Sequence, residues 1–353
     1  MTAELGGSAQ APLASVERGG AAESVHLGSV AVVDAEGGLV AYAGSPDTVA
    51  FTRSALKPLQ ALPFVAAGGP AHFGLSSAQV ALLCASHSGE AKHQVAVADL
   101  LGRAGCAVDE LRCGTHAPYV YDALGESAPP PPYSSLAHNC SGKHAGMLAC
   151  CALHGWPRDG YLDPGHPLQV EIRSAVARLA GVRADALVPA VDGCSAPNYA
   201  FPLAGLARAF ARFASDRDDA DQAACRTIAE AMTGHPDYVS GERRGDLALM
   251  RAGRGRWIAK VGAEGIQAIG LRGEGLGIAI KVADGAARAV VPVAVAVLEA
   301  LGVMDADARR ALAPWETPVL HNARGVAVGR LRPVVVLDKA VGGRDLPGAR
   351  GRR

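Results

Sequence analysis

Apolar and polar positions along the chain alternate at two periods, and the switches between them mark out the elements. Val30–Val33 and Leu39–Ala43, parted by Asp34-Ala-Glu-Gly-Gly38, predict a β-hairpin. After a turn at Ser45-Pro46-Asp47, a helix opens near Ser54 and runs to about Ala67, with Pro58 placed in its first turn. Helical periodicity returns over Ser77–Ser86 and Glu90–Arg103, divided by the polar break His87-Ser88-Gly89. Ser127–Tyr133, with four consecutive prolines, predicts an extended loop. Ser141–His154, Leu168–Ala180, Phe201–Phe213, Asp221–Thr233 and Ala286–Leu301 predict further helices. Ala186–Val191, Trp257–Val261, Gly265–Leu271, Leu276–Val282 and Pro318–Leu337 predict strands. Blocks of helices and antiparallel strands place the chain in the α+β class, with helices packed on an antiparallel sheet.

The segment from Met1 to about Ser24 is small and polar, without a basic region followed by an apolar one. It is expected to be a flexible leader and not a signal peptide. Residues 25–340 are expected to form one catalytic domain, undivided or in two lobes, and 341–353 a flexible basic tail. The longest apolar run, Ala289–Leu298, is too short to span a bilayer. Formal net charge is zero, so there is no basic field for nucleic acid or an acidic membrane, and a small-molecule substrate is expected. Eight cysteines are scattered without the spacing of a disulfide framework, which predicts reduced thiols and a cytoplasmic protein.

Lysine is the informative residue. Of 34 basic side chains only six are lysine, at 57, 92, 143, 260, 281 and 339. Arginine stays protonated at any working pH, whereas a lysine can be tuned neutral and act as a base. Ser54 and Lys57 stand at i and i+3, one helical face, where they can form a nucleophile–base pair. Ser86 follows a predicted helix and Lys260 lies on a predicted strand. A Ser-x-x-Lys dyad, a second serine after a helix and a Lys-x-Gly on a strand make up the element set of penicillin-recognising serine acyltransferases. The opposing readings are a locally satisfied Ser86 and a solvated Lys260.

Asn139-Cys-Ser-Gly-Lys-His144 places Cys140 and Lys143 at i and i+3 at a helix start, and Asp192-Gly-Cys194 adds a thiol on a turn. Two thiolates and a nitrogen could hold zinc with one open position, or these could be buried or redox-active thiols. Gly273-Glu-Gly-Leu-Gly277 leads into a strand, so it reads as a hairpin turn and not a phosphate loop.

Taken together, the chain is similar to the rhizobial-type, zinc-associated L-asparaginases of the asparaginase II family. The resemblance rests on Arg53-Ser-Ala-Leu-Lys-Pro-Leu-Gln-Ala-Leu-Pro63, Cys84-Ala-Ser-His-Ser-Gly-Glu90, Leu111-Arg-Cys-Gly114 and Asn139-Cys-Ser-Gly-Lys-His-Ala-Gly-Met-Leu148. To these it adds Asp192-Gly-Cys194, Lys260-Val-Gly-Ala263 and Leu276-Gly-Ile-Ala-Ile-Lys281, covering about Glu23 to Leu301. It implies hydrolysis of asparagine to aspartate and ammonia on a fold like that of serine β-lactamases and glutaminases. Residue by residue, it implies Ser54 as nucleophile, Lys57 as its base, and Ser86 with Lys260 as a second pair that relays protons and keeps Lys57 neutral. It further implies zinc on Cys140, Lys143 and Cys194, a substrate or metal surround of Arg53, Asp192 and His144, and a homodimer. The alternatives left open are another Ser–Lys acyl hydrolase (glutaminase, esterase or β-lactam hydrolase) and a non-catalytic zinc or thiol sensor.

Overall fold

The computed structural model describes residues 9–217 and 219–342. Its main sheet opens with β1 (Ala11–Arg18) and the long β2 (Ala21–Asp34), joined through Gly19 and Gly20, both at positive φ. The expected leader is therefore corrected over residues 11–24, where Leu13, Ala14 and Val16 are buried. The sequence hid this hairpin because its inward residues are small and few, although Gly-Gly is itself a tight-turn signal. Residues 1–8 and 343–353, with most of the expected tail, lie outside the described residues.

The expected hairpin pairs β2 with β3 (Leu39–Ala43). A short β4 (Val49–Phe51) follows, and β5 (Val188–Val191) and β6 (Pro197–Pro202) join it in a second, three-stranded sheet of order β4-β6-β5. The expected helix at Phe201 begins at Leu203 instead, because Pro197–Pro202 pairs with both β4 and β5 and Pro202 caps the helix. The main sheet is completed by β7 (Trp257–Gly262), β8 (Ile266–Leu271), β9 (Leu276–Val282), β10 (Val319–His321), β11 (Ala327–Pro333) and β12 (Asp338–Lys339). Its order is β10-β11-β1-β2-β9-β8-β7, with β3 also on β2 and β12 on β3. Gly273 to Gly277 makes the β8–β9 turn, as its sequence predicts.

β8 and β9 are buried almost throughout, so they read as continuous apolar runs and not as alternation. Helices Leu203–Ala214 and Ala287–Ala300 pack against them. The first lies so close that a Cβ at Gly277 would stand 1.8 Å from the Ala207 carbonyl oxygen. Only glycine fits there. In a chain with six phenylalanines, Phe201, Phe210 and Phe213 are all buried at this helix, each contributing about 1.5–3 kcal/mol. Helices Lys57–Ala66, Ser77–Leu83, Ala91–Arg103, Ser141–His154, Pro167–Ala180 and Gln222–Gly234 pack on one another as the helical layer. Among the described helices of eight or more residues, two were not legible in the sequence, Gly245–Gly253 and Ala306–Glu316. The mixed α+β class with an antiparallel sheet and packed helices is as expected. No described helix is long and apolar enough to cross a membrane.

Candidate active site

The three-stranded sheet delivers two segments to one place. β4 runs directly into Thr52 and Arg53, and β5 into Asp192-Gly193-Cys194. Between them, Asn198 on β6 clamps Arg53 through its backbone, accepting from the N–H and donating to the carbonyl at 3.0 Å each. Arg53 takes a φ of +48°, a left-handed conformation costly for a side chain with a Cβ and held by these bonds. A 3-10 turn, Arg53–Leu56, then carries Ser54, and the α-helix starts at Lys57 with Pro58 behind it. This turn lies against β7, the edge strand that carries Lys260. The approach is tight: a Cβ at Gly262 would come within 2.5 Å of the Thr52 carbonyl oxygen. Lys260-Val-Gly262 is thus a spacing set by contact with the serine segment.

Lys57 is fully buried and donates to the Ala85 carbonyl at 2.6 Å and to Ser86 Oγ at 2.8 Å. Ser54, partly exposed one helical turn earlier, makes no side-chain hydrogen bond among the described residues. Ser86 leaves the helix Ser77–Leu83 and is held by its N–H on the Val239 carbonyl. Lys260, also fully buried, donates to Asp246 Oδ2 at 3.2 Å and to the Val261 carbonyl at 2.9 Å. The expected Ser54–Lys57 and Ser86–Lys260 contacts are therefore not direct hydrogen bonds here. The bonds made are Lys57–Ser86 and Lys260–Asp246. Burial lowers Lys260 to about 8, with Lys57 and Arg244 pushing the same way and Asp246 opposing. Cys84 lies near both lysines, and burial pushes its thiol up to about 12.

A second cluster adjoins the first. Lys143, on the first turn of helix Ser141–His154, donates to Cys194 Sγ at 2.8 Å. Cys140 sits beside Cys194, whose hydrogen bond, helped by Lys57 and Lys143 against the cost of burial, holds it well below the ordinary thiol range. Burial alone would lower Lys143, but the Cys194 and Cys140 sulfurs outweigh it and raise it. His144 Nδ1 bonds the Tyr161 hydroxyl at 2.7 Å, and its buried Nε2, near Cys194, has no hydrogen-bond partner among the described residues. Burial takes this imidazole down to about 4, so it is neutral. Arg53 Nε donates to Asp192 Oδ1 at 2.8 Å, and Asp192 also accepts from the Gly193 N–H. Ser195, after Cys194, has a φ of +69°, a second non-glycine residue in the left-handed region at this site.

All ten residues singled out in the sequence belong to these two adjoining clusters. Sequence reasoning missed Asp246 and Arg244. Asp246 is buried on the first turn of helix Gly245–Gly253, and Arg244, just ahead of it, donates to the Ser86 carbonyl and lies over the Tyr119 ring at 5.5 Å. Both line a cavity of about 280 Å³ with Val261, Gln267 and Trp315. Nothing in Glu242-Arg-Arg-Gly-Asp246 distinguishes them from solvated charges. Only the absence of periodicity before an apolar helix could have drawn notice.

No curated protein matches the chain. A family model described as L-asparaginase II matches residues 14–333, beyond both ends of the stretch expected from the resemblance. The match takes in the hairpin of β1 and β2, both clusters and β11, and on it the chain belongs to the L-asparaginase II family.

Proposed function

We propose that this protein is an L-asparagine amidohydrolase working through an acyl-enzyme on Ser54. The observation that carries the reading is the fully buried Lys57, three residues from Ser54 and hydrogen-bonded to Ser86, within a chain of this family. A serine hydroxyl is a poor nucleophile until a neutral amine takes its proton, and a buried lysine with a serine relay can supply one. Ser54 Oγ attacks the side-chain amide carbon, and its proton passes through the Lys57–Ser86 pair to the departing nitrogen. Ammonia leaves. Water then hydrolyses the aspartyl ester, giving aspartate and restoring the hydroxyl. A serine β-lactamase/glutaminase-like arrangement of sheet and helices, a homodimer and a cytoplasmic location belong to this reading; eight free, buried cysteines suit a reducing compartment.

Zinc fits the second cluster on one condition. Among the described residues no three His, Cys, Asp or Glu side chains converge as ligands, so Cys140 and Cys194 need Lys143 as the third. Cys140, held in its thiolate range, and the adjoining sulfur suit a borderline-soft ion, and Lys143 must give up its proton. When bound, zinc would supply a fixed positive charge for orienting substrate. Arg53, Asp192 and His144 border that place and would orient the α-amino and α-carboxylate groups.

Ammonia release from asparagine and glutamine, measured beside ester and β-lactam turnover for wild type and Ser54→Ala, tests the proposal. Asparagine turnover that falls at least about a thousand-fold in Ser54→Ala supports it. Equal activity of the two proteins removes Ser54 as nucleophile, and preference for another substrate moves the reading to a different Ser–Lys hydrolase.

A further inference from the structure

Among the described residues, Lys260 and Asp246 form the one ion pair in which both side chains are essentially inaccessible, at 0 % and 1 % exposure. A buried charge pair is kept only where geometry and further hydrogen bonds satisfy both partners. Here they do. Asp246 Oδ2 accepts from Lys260 and, at 3.0 Å, from the Val261 N–H; Oδ1 accepts from Gln267 Nε2 at 3.2 Å. The carboxylate is thus tied to β7 and β8 and cannot turn away from the lysine without losing three bonds. The second bond of Lys260 goes to the Val261 carbonyl, on its own strand, and no hydrogen bond joins it to Ser86 among the described residues. Ser86 Oγ meanwhile receives its bond from Lys57.

We propose that Asp246 is a positioning residue for the hydrolytic reaction, holding Lys260 as an ammonium on the floor of the site so that the Lys57–Ser86 pair works beside a fixed positive charge. This rests on the Ser–Lys reading given above. The groups facing Lys260 come from three elements. Asp246 and Arg244 come from the start of helix Gly245–Gly253, Lys57 from the start of helix Lys57–Ala66 and Cys84 from the end of helix Ser77–Leu83; no titratable group of β7 or β8 adds to them. Lys57 stands just after the 3-10 turn that carries Ser54, and of these groups Asp246 is the only one that favours the charged form of Lys260. With burial taking Lys260 to about 8 even in its presence, the charge is retained at neutral pH and lost as pH rises through that value. Removing the carboxylate takes away the one opposing influence, so the proton leaves at lower pH.

The test compares wild type, Asp246→Asn and Asp246→Glu in two ways. The pH profile of kcat/KM for ammonia release reads the mechanism, and nitrogen NMR of lysine-labelled protein reads Lys260 directly, which six lysines make assignable. In Asp246→Asn the alkaline limb and the Lys260 titration are expected to move together to lower pH by about one unit or more, about tenfold in kcat/KM above the limb. Asp246→Glu should restore both. A uniform fall in activity with an unmoved limb and an unmoved titration overturns the proposal, because a merely structural role gives that result. If Asp246→Asn does not fold, the wild-type titration decides: a Lys260 already neutral at pH 7 overturns it, and an ammonium there supports it. A wild type that releases no ammonia sinks the hydrolase reading, while the Lys260 titration still judges the Asp246 contact by itself.

Discussion

Two lysines, Lys143 and Lys260, are buried to the same degree in adjoining clusters, yet their surroundings push them in opposite directions. Lys143 meets two sulfurs, and its charged form is favoured well beyond an ordinary lysine. Lys260 meets one carboxylate but also Lys57 and Arg244, and burial prevails. Burial costs the ammonium in both places; the sign of the net shift comes from how many anions and cations share the space. The sulfur cluster is arranged as a charged anchor, and the serine cluster holds an ammonium whose charge is kept at neutral pH and lost as pH rises through about 8. That division suits an anchor for substrate or metal beside a site that moves protons.

The largest way to break the comparison is to remove the partner of the anchored lysine. Cys194→Ala leaves Lys143 buried without the sulfur it donates to, and should cost about 3–5 kcal/mol in denaturant unfolding. Lys143→Met added to Cys194→Ala should recover much of that loss, since a buried unpaired charge is the cause. A double variant as unstable as Cys194→Ala would place the damage in packing instead.

Next in size is an opposite dependence on pH. Lys260 stands at about 8 in the fold against 10.5 in its ordinary state, so between these values the unfolded chain holds the extra proton. Stability therefore rises with pH across that window, by about 3 kcal/mol for a shift of this size, and Lys260→Met should remove the rise. Lys143 works the other way. Raised in the fold, it contributes stability that is fully present below its ordinary value and lost as pH climbs through the folded one. Lys143→Met should flatten that loss. Urea unfolding at intervals from pH 7 to 11 reads the Lys260 rise in full and, above the ordinary lysine value, the onset of the Lys143 loss; equal slopes in the two variants would erase the contrast.

The smallest effect sharpens the role of burial. Arg309 and Glu299 form a well-aligned double hydrogen bond at 2.8 Å, but each is about half exposed. Arg309→Ala should leave stability close to that of the wild type, because solvent screens the pair. A loss near that of Cys194→Ala would mean that pairing geometry, and not burial, governs these contacts.

Much of this was legible along the chain. Helices with long apolar stripes, such as Ser141–His154 and Pro167–Ala180, were placed within a residue or so, as were the strands Trp257–Gly262 and Leu276–Val282. The β1 strand and β6 were not, because small residues and prolines give a weak period and pairing with distant strands overrides it. The candidate site divides in the same way. Although no hydrogen bond joins either pair among the described residues, Ser54 could be placed near Lys57, and Cys140 near Lys143, from spacing, since i and i+3 on a helix are neighbours by construction. Asp246 could not, lying 14 residues from Lys260 with the rest of a helix, a turn and a strand start between them.

By itself the sequence determined the inventory: which scarce lysines stand three residues from a serine or a cysteine, and the family those blocks belong to. The tertiary structure alone decided the partners. It joined Lys57 to Ser86, Lys260 to Asp246 and Lys143 to Cys194, across 29, 14 and 51 residues. The reason is physical. Local spacing fixes which side chains share a turn, but burial and the charges brought in from other elements set which amine keeps its proton.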